Sequence, residues 1–201
     1  MTRMRFKRGL LGAATPVGLL LLVLGLGCKG AGKDGNSVTP CPSISFASSL
    51  SSPAAGDVSL ASGASSCDAV DIGVLVTNLS GIFTVGFDLL YPSSIIAYQG
   101  FSAGPLLYQG SPPIAPLFFV QKPSPGEIVA SGTLFRPDSD VSAINSATFI
   151  TLHFVRVASG SGSLDFNTGP GSTINNQIID DSGTIVTATF GPGHGGVVQV
   201  P

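Results

Sequence analysis

Tryptophan is missing from the 201 residues, histidine occurs twice, and Lys, Arg, Asp and Glu together make up only 10% of the chain. Each scarcity weighs against a class of function. Sugar-binding platforms rely on flat aromatic faces, and Tyr91, Tyr98 and Tyr108 are the only tyrosines here. His153 and His194 are the only imidazoles for general-base work, which leaves little for acid–base or nucleophilic catalysis. Four of the 9 basic residues, Arg3, Arg5, Lys7 and Arg8, crowd the N-terminus, whereas all 11 acidic residues lie beyond Cys28. Without the N-terminal segment the net charge is about −6 (5 − 11). No basic cluster remains to neutralise phosphates, so nucleic acid is excluded as a partner. Low charge alone would suit disorder, but disordered chains are poor in apolar residues, and 43% of this chain is hydrophobic. No window sustains a 3.6-residue period, which argues against a helical domain.

What is present begins with a targeting segment. A basic run is followed by an apolar stretch over residues 10–26, then by small residues ending in Gly27-Cys28. That order is the pattern of a signal peptide, which is excluded from the fold. A retained transmembrane helix is the alternative, since about 18 apolar residues just span a bilayer. Pro16 and Gly9, Gly12, Gly18 and Gly25 disfavour it. Residues 1–27 are therefore expected to be the signal, 28–42 a flexible tether, and 43–201 the folded domain. The stretch after Cys28, Lys29-Gly30-Ala31-Gly32-Lys33-Asp34-Gly35-Asn36-Ser37, is small, polar and unpatterned, as a tether requires.

Cysteine arithmetic leaves Cys41 and Cys67 beyond Cys28. Two cysteines in an exported domain are expected to pair as a disulfide. Metal ligation is the rival, and it lacks neighbouring Cys or His at ligand spacing.

The rest of the chain is written in short strands. Residues 83–91 alternate, placing Phe83, Val85, Phe87, Leu89 and Tyr91 on one face. Residues 70–76 are rich in β-branched side chains. Further strands are predicted over 94–99, 117–121, 127–135, 148–157, 163–166, 177–179, 184–190 and 197–200, separated by Gly, Pro and Ser turns. Short strands at this spacing indicate a sandwich or barrel.

Two segments carry resemblances to known families. Leu24-Gly25-Leu26-Gly27-Cys28 resembles the bacterial lipobox, although the family prefers Leu three residues before the Cys and this chain has Gly25 there. The resemblance implies acylation of Cys28 and a lipid anchor in the cell envelope. An ordinary signal peptide with an incidental Cys28 remains the alternative. From about Asp57 to Val200 the chain is similar to the cohesin domain of cellulosome scaffolds and its non-cellulosomal relatives. The similarity rests on Val74-Leu75-Val76-Thr77-Asn78-Leu79-Ser80-Gly81-Ile82 followed by Phe87-Asp88-Leu89-Leu90-Tyr91, on Ser102-Ala103-Gly104-Pro105-Leu106-Leu107, and on Gly126-Glu127-Ile128-Val129-Ala130-Ser131. It continues in Ala147-Thr148-Phe149-Ile150-Thr151-Leu152-His153-Phe154 and in a closing hairpin from Asp181 to Val200. Pro92-Ser93-Ser94 after Tyr91 departs from the family's Asp-Pro-Ser turn. The resemblance implies an all-β, flattened jelly-roll sandwich of about nine strands that binds a protein module, typically a dockerin, through one sheet face. It also implies that the strands over 83–91 and 148–157 are neighbours in that sheet. Alternation then turns Thr84, Asp88 and Leu90 of the first strand, and Thr151 and His153 of the second, toward the partner.

Other chemistry is set aside. Gly100-Phe101-Ser102-Ala103-Gly104 matches the GxSxG elbow, but that motif needs a strand-to-helix turn, and Pro105 with a strand-like stretch follows instead. Asp138 with Asp140, and Asp180 with Asp181, are expected to be solvated turn formers. They lack the dense carboxylate spacing of a calcium loop. No catalytic residue, cofactor or metal is expected. The expected function is partner binding by a membrane-anchored, extracytoplasmic cohesin-like module, with scaffolding of polysaccharide-degrading machinery as a role. The alternative is a carbohydrate-binding sandwich that holds polysaccharide near enzymes.

Overall fold

Alternating patterns of this kind bury one face of each strand, and two such faces close on one another. The computed structural model of the chain describes residues 41–109 and 114–201. The signal segment, Cys28 and most of the tether lie outside the described residues. Among the described residues, twelve strands form two antiparallel sheets, and their inner faces share one core. The strands are β1 (Ser45–Ser48), β2 (Val58–Ser65), β3 (Ala69–Ile82), β4 (Thr84–Leu90), β5 (Ile96–Ala103), β6 (Leu117–Gln121), β7 (Glu127–Thr133), β8 (Val141–Arg156), β9 (Gly160–Phe166), β10 (Gln177–Ile179), β11 (Ile185–Val186) and β12 (Gly196–Val200).

One sheet runs β2-β3-β8-β5. The other runs β1-β12-β9-β4-β10-β11, with β7 along the free length of β4 and β6 outside β7. β4 is the hub of this second sheet. One edge pairs with β7 from Thr84 to Leu90, while the other is divided between β9 and β10. The strand alternation read from residues 83–91 holds: Val85, Phe87 and Leu89 are fully buried, and Tyr91 nearly so. Phe87 meets Phe149 of the opposite sheet edge-to-face at 6.1 Å, and meets Phe166 of its own sheet at 5.8 Å. These are the separations aromatic pairs favour.

Twelve strands are described where periodicity indicates ten; some run longer than indicated, whereas β7 stops at Thr133 and β11 keeps only Ile185–Val186 of the stretch 184–190. β1 and β2 leave little trace in the sequence, because Ser, Ala and Gly dominate their residues and alternation is weak. β3 continues past Asn78 to Ile82, and β8 begins at Val141 rather than 148. The two overshoots have one cause. Asn78 and Asn145 adopt left-handed φ of 43° and 59°, which Asn tolerates better than most residues. The Asn78 side chain accepts the Asn145 N–H at 2.8 Å. This pair forms a bulge that lets both strands bend and continue.

Cys41 and Cys67 are disulfide-bonded, with their Cα atoms 5.7 Å apart. Ile44 also donates its N–H to the Ser66 carbonyl at 2.8 Å. The chain is thus fastened to the β2–β3 turn from Cys41 onward.

Candidate partner-binding face

The five residues expected at a partner surface do not share one. β4 pairs with β7, β9 and β10, whereas β8 pairs with β3 and β5, so the two strands sit in different sheets. Ile150, Leu152 and Phe154 of β8 point into the core. Thr151 and His153 therefore face outward on one side of the sandwich, and Thr84 and Leu90 on the other. The expectation that β4 and β8 are sheet neighbours is corrected: sequence periodicity gives each strand's two faces but not which strands pair.

Asp88 is also corrected. It does lie on the outer side of β4, yet it is completely buried. Between β9 and β10 the chain leaves the sheet, and residues 167–176 cross over Asp88. The carboxylate holds this loop: Oδ2 accepts the Thr173 N–H at 2.7 Å, the Ser172 hydroxyl at 3.0 Å and the Asn167 amide at 3.1 Å. The backbone of Asp88 holds both loop ends. Its N–H donates to Asn176 Oδ1 at 2.7 Å, and its carbonyl accepts the Asn167 N–H at 2.9 Å. The Asn176 side chain and the Asn167 backbone thereby replace the ladder partners missing at this point, as buried backbone groups require. Asp88 organises the surface from below and is not available to a partner.

The accessible part of that outer face is built by β6, β7 and β4. Phe118 and Val120 of β6 pack on the core, so Leu117 and Phe119 turn outward and are 55% and 51% exposed. Strand register sets rows across the sheet. Leu117 stands opposite Thr133, which stands opposite Thr84. Phe119 stands opposite Ser131, which stands opposite Gly86. Thr84 and Thr133 join their hydroxyls at 2.7 Å. A recess of about 480 Å³ opens over the Gly86 row, walled by the crossing loop at Ser172, Thr173, Ile174 and Asn175. At the far end of β4, Leu90, 43% exposed, stands opposite Glu127. The Thr173 hydroxyl, and next the Ser124 hydroxyl, hold the Glu127 carboxyl below the usual carboxylate range. Sequence periodicity does not single out Leu117 and Phe119, because four consecutive apolar residues in β6 leave its inward parity undecided.

On the opposite sheet, His153 bridges two strands. Its Nδ1 lies 2.7 Å from Asp71 Oδ1 of β3, and its Nε2 lies 2.8 Å from Ser102 Oγ of β5. Of the carboxylates weighed for calcium, Asp180 makes a turn. Its Oδ1 accepts the Ser182 hydroxyl, the Thr184 N–H and the Ser182 N–H at 2.7–2.9 Å. The Ser182 hydroxyl, first among these, holds its carboxyl below the ordinary range. Among the described residues no group of three or more His, Cys, Asp or Glu could hold a metal ion.

No protein-family model and no curated protein sequence matches the chain. Solved structures do. A type II cohesin, A11 from Bacteroides cellulosolvens, superposes with a TM-score of 0.52 at 12% identity, covering 68% of this chain and 97% of that one. The fold is that of cohesin domains. A type II cohesin domain from the cellulosome of Acetivibrio cellulolyticus gives 0.50 at 12% identity, over 78% of this chain and 95% of that one. A match within the CaDoc0917–CaCohA2 complex gives 0.51 at 16% identity, over 66% of this chain and 92% of that one. The two-sheet sandwich of the described residues is thus an arrangement shared with these cohesins.

Proposed function

We propose that this chain is a protein-binding module of cohesin type, exported and held to a membrane by lipid at Cys28, which captures a dockerin-like partner module. The observation that carries the reading is the pair Leu117 and Phe119. Two large apolar side chains stand half-exposed on the outer sheet face, flanked by hydroxyls and a recess. Interfaces have this composition, with apolar anchors inside a polar rim. The cohesin fold supports the same direction, one such structure having been solved as a complex. Display of polysaccharide-degrading machinery at the cell envelope follows as the role of such a module.

The test is binding of the full chain to a panel of dockerin modules by biolayer interferometry. Leu117→Ala and Phe119→Ala are each expected to weaken binding by about 1–2 kcal/mol, roughly five- to thirtyfold, without changing the melting temperature. Failure of every dockerin to bind would overturn the reading.

One observation favours a second reading, carbohydrate binding. The recess is walled mainly by hydroxyl and amide groups, from Thr84, Ser131, Thr173, Asn175 and Gln177. Saturable binding of soluble oligosaccharides that is lost in Thr84→Val would select it.

Anchoring is tested separately. Cys28→Ala is expected to move the protein from the membrane pellet to the soluble fraction after export, because two or more acyl chains hold a protein stably and their loss removes that attachment. Unchanged pelleting would show that the anchor lies elsewhere.

A further inference from the structure

The face opposite Leu117 and Phe119 carries three side chains whose roles differ sharply by atom. Asp71 on β3 stands in register opposite His153 on β8, and His153 stands opposite Gly100 on β5. Ser102, two residues along β5 and opposite Thr151, is the diagonal neighbour of His153. The register shift between Tyr98 and Gly100 adjusts β5 so that Ser102 reaches the ring. The carboxylate meets Nδ1 and the hydroxyl meets Nε2, at 2.7 and 2.8 Å. A carboxylate on Nδ1 favours the tautomer with its proton there, which leaves Nε2 unprotonated and able to take the serine proton. Ser102 is exposed, while Asp71 and His153 side chains are about one-third exposed, at 32% and 35%.

A fourth element comes from the backbone. Among the described residues β5 is an edge strand, paired only with β8. Gly104 donates its N–H to the Phe149 carbonyl of β8. Successive strand residues direct their N–H groups to opposite edges. The N–H of Ala103, the residue after Ser102, therefore points off the free edge. An N–H at that position is where hydrolases with a GxSxG serine stabilise an oxyanion. Ser102 sits on a strand followed by the short 3₁₀ helix Leu106–Tyr108, and not on a strand-to-helix elbow. What the elbow achieves by strain, exposure of the hydroxyl beside a base, the sheet edge achieves by position.

We infer that Ser102, His153 and Asp71 form an acyl-accepting serine site that takes small, activated carboxylic esters. Ser102 Oγ attacks the carbonyl carbon and its proton passes to His153 Nε2. The tetrahedral intermediate collapses with cleavage of the bond to the leaving oxygen, which receives the proton from His153. Water then attacks the acyl-serine and gives a proton to His153. The bond to Oγ breaks, that proton returns to Oγ, and a carboxylic acid leaves. Asp71 is a positioning residue that holds the imidazole. The face is open: apart from the adjoining residues of the chain, nothing described lies within 4 Å of where a side chain at Gly100 would begin. A bulky acyl group finds little to bind there, and the recess beside Asp71, about 140 Å³ and lined by Ala64, Ser65, Ser66 and Ala69, admits only a small group, so the substrate is a short ester with a good leaving group. This site lies on the other sheet from the proposed partner face, so either proposal stands without the other.

The experiment uses the full chain in detergent, a fluorophosphonate probe and p-nitrophenyl acetate. Expected results are covalent labelling at Ser102 by peptide mass spectrometry and ester turnover above the buffer rate. Ser102→Ala should abolish labelling. His153→Ala should lower turnover about 100-fold, the scale of losing a general base. Asp71→Asn should lower kcat roughly tenfold or more at unchanged KM and unchanged melting temperature, the mark of a wrong tautomer and not of a lost fold. Labelling at another residue, or turnover in Ser102→Ala equal to that of the parent chain, would overturn the inference and leave the trio as a cross-strand hydrogen-bond ladder. Melting curves for each variant separate loss of chemistry from loss of fold.

Discussion

Replacing Asp88 with Ala is expected to lower the stability of the domain by about 3 kcal/mol, since hydrogen bonds to a charged acceptor contribute roughly 1.5–3 kcal/mol each and are not additive. The melting temperature should fall by about 8 °C for a domain of this size. The physical reason is the interrupted ladder. Loop 167–176 has no strand partner over the middle of β4, and the Asp88 carboxylate satisfies the Thr173 N–H, the Ser172 hydroxyl and the Asn167 amide together. Truncation leaves the Thr173 N–H and the Asn167 amide under a covered surface without their acceptor, while the Ser172 hydroxyl keeps the Ile174 carbonyl. Asp88→Asn keeps one acceptor oxygen and should recover part of the loss. Partner binding should also weaken in Asp88→Ala, indirectly, because the loop forms the wall of the recess beside Phe119. Thermal unfolding followed by circular dichroism decides the point. A variant that melts like the parent while losing its partner would mean that Asp88 contacts the partner directly and that the loop does not cover it.

Loss of the Cys41–Cys67 disulfide has the other large effect. The bridge closes a loop spanning 26 residues, so Cys41→Ser with Cys67→Ser should cost about 3 kcal/mol in the chain-entropy account. β1 should suffer first. It follows the bridge closely, pairs only with β12 among the described strands, and has just the four residues Ser45–Ser48 to hold it. Hydrogen exchange should show amides of β1 losing protection before those of β3 and β8, because edge elements open at lower free energy than central ones. Equal exchange throughout the domain in the double variant would show that the bridge does not secure β1.

Much of the core is legible in local pattern. Period-two alternation in Phe83-Thr84-Val85-Gly86-Phe87-Asp88-Leu89-Leu90-Tyr91 names the inward set, because side chains in a strand must alternate and only one parity here is apolar throughout. Ile150, Leu152 and Phe154 are inward on the same ground. In β6 the rule fails, because Leu117, Phe118, Phe119 and Val120 are all apolar and either parity would fit. What settles it is Phe149, against whose ring Phe118 packs at 5.4 Å.

Asp88 shows a different limit. Its parity is outward, yet outward is not exposed. A segment 79 or more residues away folds over it, and no local pattern encodes that arrival. Ser102 and His153 carry no catalytic signal as a pair in the sequence, because the serine motif lacks its helix and the two lie 51 residues apart. Strand register across β3, β8 and β5 joins them to Asp71, an aspartate with nothing local to distinguish it.

The amino-acid order alone determined which residues face the core in β4 and in the second half of β8, where most turns fall, that the domain is all-β, and which two cysteines were free to pair. These follow from periods of two, from turn chemistry and from counting, all of which act within a few residues. Tertiary structure decided which strands are neighbours, that β4 and β8 lie in opposite sheets, that loop 167–176 closes over Asp88, and that Leu117 and Phe119 stand on the outer face. Those outcomes depend on pairing between segments far apart in the chain, where the backbone hydrogen bonds are the same for any partner and only the packing of the whole core selects among them.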